Sequence, residues 1–175
     1  MRAEQWLQLH ELCLDTVRGA LAGIPVDLLV KEVAIIGTSV GREVAHLIDA
    51  EAYWLKEVGI VPNFFLLPVD EWSEATFNRT FDQVQKQYEE VLRDQGLQRD
   101  ILFGLGRVCQ HALYHHVRIT KMRMILDADW TVPPPYETGS WARAADYLTD
   151  LLIASDSASP RSKKHKTIDG ISLEM

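Results

Sequence analysis

The amino-acid sequence predicts an all-α protein: a four-helix bundle with an additional short C-terminal helix and a disordered tail. Three observations carry that expectation. Apolar residues recur at three- and four-residue steps through four long segments, the signature of one buried helical stripe each. Residues that start or stop helices bound those segments. No stretch alternates apolar and polar residues as a half-buried strand would, and helices without strands pack as bundles.

The first helix carries Trp6, Leu9, Cys13, Val17 and Ala20 on one stripe and ends at Gly23 and Pro25. Ile24–Thr38 reads either as a short helix or as an extended crossing segment. Thr38 or Ser39 caps the second long helix, which runs to Val58 before Gly59. A proline-flanked loop, VPNFFLLPVDEW, follows. Ser73 caps the third helix, whose stripe is Phe77, Phe81, Val84, Tyr88 and Val91 or Leu92, with Gly96 at its end. Asp100 is expected to cap the fourth, from Ile101 to about Leu126, with Leu105, Val108, Ala112, Ile119, Met122, Ile125 and Leu126 on its stripe. Pro133, Pro134 and Pro135 force a loop. Ser140 then caps a short fifth helix, Trp141 to about Ile153. The expected domain is 1–155, and the Ser- and Lys-rich residues 156–175 read as a disordered tail.

A length of 175 residues fits one core plus a tail. The net charge of −7 argues against a dedicated nucleic-acid binder, which needs a basic face. Glu4, Glu11 and Asp15 interrupt what a signal peptide would leave apolar, and no apolar run approaches a spanning length. The expected location is therefore the cytoplasm, with no membrane partner. Cys13 and Cys109 are too few for a disulfide framework and read as small core residues.

The sharpest chemical signal lies in the fourth helix, GRVCQHALYHHVRITKMRMIL. His111 and His115 are four apart and so project from one helix face. That spacing suits two imidazoles on one metal ion, and equally two core histidines satisfied by hydroxyls, carbonyls or water. His116 points about 100° away and reads as a surface group. A third ligand must come from elsewhere. His10 lies near the chain start and His165 in the tail, which leaves His46, although it sits about 120° from the centre of its own helix's apolar stripe. Glu51 falls inside that stripe, where an unpaired carboxylate is costly. It either snorkels or pairs at the bundle edge, or serves a site as ligand orienter or proton acceptor. Gly104, on the His111 face, points to a close helix approach or a small pocket.

His46, Glu51 and Trp54 in HLIDAEAYWL, followed by His111-Ala-Leu-Tyr-His115, resemble the DinB-like (damage-inducible) family of metal-binding four-helix bundles. The resemblance spans roughly residues 5–155. It implies that His46, His111 and His115 are three ligands of a divalent metal, zinc first, with nickel or iron as alternatives. Related proteins include thiol-dependent transferases and a maleylpyruvate isomerase. A small-molecule substrate, a low-molecular-weight thiol cosubstrate and a metal-dependent transferase activity are therefore expected, with Glu51 as proton acceptor. A metal-dependent hydrolase and a non-catalytic metal- or ligand-binding stress-response module are the alternatives, and a homodimer is the assembly kept open. One departure stands out: where many relatives continue Arg-Gly-Gln after the last ligand, this chain reads His116-Val117-Arg118.

Overall fold

Serine caps set the starts of two of the long helices in the computed structural model, which describes residues 2–132. The first helix, α1, spans Ala3–Leu21 and buries Leu9, Cys13, Val17 and Ala20 as its stripe requires. The ambiguous segment resolves into a short helix, α2 (Val26–Val30), and a minimal antiparallel hairpin, β1 (Glu32–Val33) with β2 (Thr38–Ser39). Glu32 pairs with Ser39 and Val33 with Thr38. A two-residue ladder is too short to leave an alternation in the sequence, which is why no strand was expected there.

Helix α3 (Val40–Glu57) starts at Ser39, whose hydroxyl accepts from the Arg42 N–H at 3.4 Å. Helix α4 (Glu74–Gln95) opens with a reciprocal cap: Ser73 Oγ accepts from the Thr76 N–H at 3.1 Å, and the Ser73 N–H donates to Thr76 Oγ1 at 2.9 Å. Its whole expected stripe, Phe77 to Leu92, is buried, and Gly96 with φ 71° closes it. Helix α5 spans Arg99–Leu126. The expected cap Asp100 lies inside its first turn, where the carboxylate still complements the helix dipole, and the capping position falls to Gln98. Ile125, placed on the buried stripe by the sequence, is exposed at the end of the helix.

Helix α5 packs against α1 and α3, and α4 lies against the same two helices from the other side. Helices α1 and α3 therefore face each other across the bundle. The last turn of α5 ties down the end of α1: the buried Arg123 donates to the Ala20 and Ala22 carbonyls at 2.9 and 2.7 Å. These are carbonyls that a helix end leaves without an internal partner. The loop before α4 is held by Gln87, which donates to the Val61 carbonyl and accepts from the Asn63 N–H at 2.7 and 2.9 Å. The expected fifth helix and tail lie outside the described residues.

Gly41, in the first turn of α3, is the most tightly enclosed of the described glycines. A Cβ there would overlap the Trp72 ring and stand 2.9 Å from the Leu29 carbonyl oxygen. Trp72 is fixed in turn by donating its indole N–H to the Leu67 carbonyl at 2.9 Å. Gly41→Ala should therefore destabilise the fold by about 1–3 kcal/mol, as overpacking does, despite alanine's better helix propensity. Urea unfolding of the two proteins measures this, and an unchanged midpoint would contradict the close packing.

Candidate metal centre

Three imidazoles meet where α3 crosses α5. Helix α3 supplies His46, and α5 supplies His111 and His115 from successive turns. The His46 ring lies 5.1 Å, centroid to centroid, from each of the other two. One ring nitrogen from each residue falls within 4.8 Å of the other two. His115 is buried, His111 half-buried and His46 exposed, so the cluster sits at the rim of the helix seam, not in the core. This explains how His46 can lie far from its helix's apolar stripe and still reach the pair on α5.

Glu43, one turn before His46, organises the cluster. Its Oε2 lies 2.7 Å from His115 Nδ1. Arg118, less than one turn beyond His115, grips the same carboxylate with two donors, Nε to Oε2 and Nη2 to Oε1, both at 2.8 Å. Burial opposes the charge on Glu43, but Arg118 and His115 outweigh it and hold its carboxyl below the ordinary range. An ionised carboxylate only accepts, so His115 Nδ1 carries the proton and Nε2 presents a lone pair. That Nε2 faces His111 Nε2 at 2.9 Å. Burial, reinforced by the neighbouring imidazoles and Arg107, pushes His111 down to about 4. Burial likewise lowers His115 in spite of Glu43.

These residues suit a divalent cation. A tetrahedral ion with ligand bonds of about 2.0–2.1 Å needs its nitrogens about 3.3 Å apart, a spacing that a small rotation of the exposed His46 would complete. Three nitrogen donors leave a coordination position for an exogenous ligand. A carboxylate behind one ligating histidine fixes its tautomer and orientation. Two shallow cavities flank the cluster. One of about 270 Å³ is bounded by the three histidines, Glu43, Tyr114 and Arg118. The other, about 310 Å³, shares His111 and Tyr114 as a common wall. The close approach expected at Gly104 is made by Trp54, whose side chain would stand 3.6 Å from a Cβ at that glycine. Trp54 also lines the larger cavity.

Glu51 is placed elsewhere. It is fully buried, and its Oε1 lies 3.2 Å from Nε2 of the equally buried His10. The expectation that Glu51 serves the histidine cluster is thus replaced by Glu43. The reason is angular: five residues turn the helix about 140° away from His46, whereas three residues turn it only about 60°. The alternative expectation of a pair at the bundle edge is also corrected, because the partner reaches across the bundle from α1. His10 Nδ1 lies 2.7 Å from Gln85 Oε1, and the Tyr88 ring packs edge-on against the imidazole. Burial disfavours the charged imidazole, but Glu51 outweighs it and raises the His10 pKa above 6.5. Cys13 and Cys109 are free and buried beside this pair, as small core residues. His116, expected at the surface, is half-buried and hydrogen-bonds the Thr16 carbonyl at 2.9 Å.

Sequence reasoning missed Glu43, Arg118 and His10. The first two had a signal in their spacing, three residues before His46 and three after His115. No family model, curated protein or solved structure matches the chain. Among the described residues, no helix is long and apolar enough to cross a membrane.

The buried pair has a pH signature. The raised His10 pKa contributes stability that is fully present below pH 6.5 and is lost as pH rises through the folded-state value. In Glu51→Gln the attraction is gone and burial remains, so the His10 pKa should fall below 6.5. NMR titration of the imidazole distinguishes the two proteins. An unchanged His10 pKa in Glu51→Gln would remove the coupling. His10→Ala should cost about 3–5 kcal/mol, since it strands a buried carboxylate.

Proposed function

We propose that the chain is a divalent-metal-binding protein of the DinB-like kind and acts as a metal-dependent transferase using a low-molecular-weight thiol. The observation supporting it is the convergence of three imidazole nitrogens on one open point, with Glu43 behind His115. Glu43 holds the His115 proton on the far side of the ring, so His115 Nε2 offers a lone pair toward His111 Nε2 at 2.9 Å, where an ion can replace the proton of the His111 Nε2–H tautomer. The donor set of neutral imidazoles suits zinc first, then nickel or iron. When bound, the ion would supply the Lewis acidity that favours the thiolate form of a coordinated thiol.

The chain's own residues divide the remaining work. His46, His111 and His115 hold the ion. Glu43 keeps His115 in the ligating tautomer, and Arg118 keeps Glu43 ionised and aimed. Tyr114 borders both cavities, where a thiol and an electrophile would lie side by side. His46 stays at the solvent-facing side, which leaves a path for small molecules. Glu51 has no part in this scheme.

Protein purified without an affinity tag should contain one divalent ion per chain, read by elemental analysis. Removing it with chelator should lower the stability of wild type by about 2.7 kcal/mol if the ion stands at a hundredfold excess over its Kd. His111→Ala should respond little. Equal chelator responses would remove the metal from the account. Glu43→Gln should keep the fold but lose about 10–100-fold in metal affinity, as loss of a partner behind a ligating histidine does. Metal-loaded protein plus a cytosolic thiol should consume a model electrophile well above the uncatalysed rate, and His115→Ala should abolish the excess. Thiol-independent ester or amide hydrolysis would replace the transferase with a hydrolase. Activity in neither assay would favour the binding module.

A further inference from the structure

The larger cavity beside the histidines has walls of a particular kind. Arg107 precedes His111 by four residues on α5, so its guanidinium projects from the same helix face one turn earlier. Its Nη1 donates to Gln110 Oε1 at 3.0 Å. That bond turns the amide oxygen toward Arg107 and leaves the amide NH2 free to donate. Arg107 forms no ion pair among the described residues, and four of its five N–H donors remain unengaged there. Arg107 and Gln110 therefore offer the cavity several hydrogen-bond donors and a positive charge. No acidic side chain lines this cavity. In the adjoining one Glu43 is neutralised by Arg118. On a chain of net charge −7 this is a local positive site. Trp54 supplies a flat wall of the same cavity, fixed against Gly104.

We propose that Arg107, Gln110 and Trp54 form a subsite for the carboxylate of a small organic ligand whose other end reaches the three histidines. A planar guanidinium matches a carboxylate with two parallel bonds, and the Gln110 amide adds a third donor. Four residues of helix separate Arg107 from His111, a rise of about 6 Å. The ligand is accordingly short, with a few bonds between its carboxylate and the group that contacts the cluster. A cavity of about 310 Å³ accommodates such a molecule and stands at the small end for ligand sites. For the far end of the ligand the inference rests on the metal-binding reading. For the carboxylate end it stands on Arg107, Gln110 and Trp54 and needs no metal. Arg107 is then the residue that selects the substrate class.

The test has a metal-free and a metal-loaded arm. In the first, propionate is titrated into metal-free protein while the Trp54 indole and Gln110 amide resonances are followed by NMR. Saturable shifts of both, weakened at least tenfold in Arg107→Gln, support the subsite. Absence of saturable shifts in wild type overturns it, as does an unaltered affinity in Arg107→Gln. Inorganic phosphate binding more tightly than propionate would overturn the carboxylate assignment. In the second arm, cobalt(II) replaces the native ion and its visible bands report occupancy. Absence of those bands counts against the metal reading and leaves the propionate result standing. With cobalt bound, 3-mercaptopropionate should give its sulfur-to-cobalt charge-transfer band at least tenfold lower concentration than 2-mercaptoethanol or cysteamine. Arg107→Gln should erase that preference while the cobalt bands persist. Equal affinities for the three thiols in wild type would overturn the link between the subsite and the cluster.

Discussion

Glu43 serves two partners at once, receiving the side-on guanidinium of Arg118 and the Nδ1–H of His115, and the geometry of the whole histidine cluster depends on that double contact. Without Arg118 the carboxylate, mostly shielded from water, would lose the stronger of the two partners that hold it ionised against burial. Without Glu43 the His115 ring could turn or change tautomer, and its Nε2 would no longer be committed as a lone pair. The contact also spans two helices, since Glu43 belongs to α3 and His115 and Arg118 to α5. It therefore locks the register of α3 against α5, and that register brings His46 opposite His111.

The fold supports this arrangement by making α5 the shared neighbour of α1 and α3. Its ends are held independently of the site. Arg123 fastens the C-terminal turn to the end of α1, and Ile101 and Leu105 are buried in the first turns. Trp54 on Gly104 sets how closely α3 can approach α5, near the turns that carry the histidines. Small residues at a helix crossing permit such an approach at a cost of roughly 1 kcal/mol in helix propensity, which packing offsets. Precision at a surface site thus comes from core contacts on either side of it.

Helix boundaries were legible because caps and stripes are local chemistry. Ser39, Ser73 and Gly96 act where their side chains or backbones can act, and Phe77 through Leu92 bury as their spacing requires. The histidine pair on α5 was legible for the same reason. What escaped was the pairing of charged groups between helices. The phase of His46 argued against a core site, and the cluster is indeed not in the core; the sequence could not show that α5 brings its ligands to the rim. Glu51 stood out as a costly carboxylate, but its partner lies 41 positions earlier on the facing helix, beyond any local pattern. Arg107 carries no signal in the sequence, because an arginine among polar residues is indistinguishable from a solvated one without the cavity beside it.

The bundle holds two histidine–carboxylate pairs of the same elementary chemistry, and access decides what each can do. In the core, His10 and Glu51 are sealed on all sides, with Gln85 and Tyr88 closing the remaining directions. Burial, with Glu51 adding to it, pushes the Tyr88 phenol well above its ordinary range, so it stays neutral beside them. No cavity reaches His10 among those described, and a substrate could contact neither member without opening the bundle. Such a pair can fix the pairing of α1 with α3 and can respond to pH, but it cannot turn over a ligand. At the rim, His115 and Glu43 are backed by Arg118 on the protein side and face two further imidazoles and open cavities on the other. One pair spends both of its imidazole nitrogens internally. The other keeps a nitrogen lone pair directed outward, and that difference is why the function is sought at Glu43 and not at the more deeply buried Glu51.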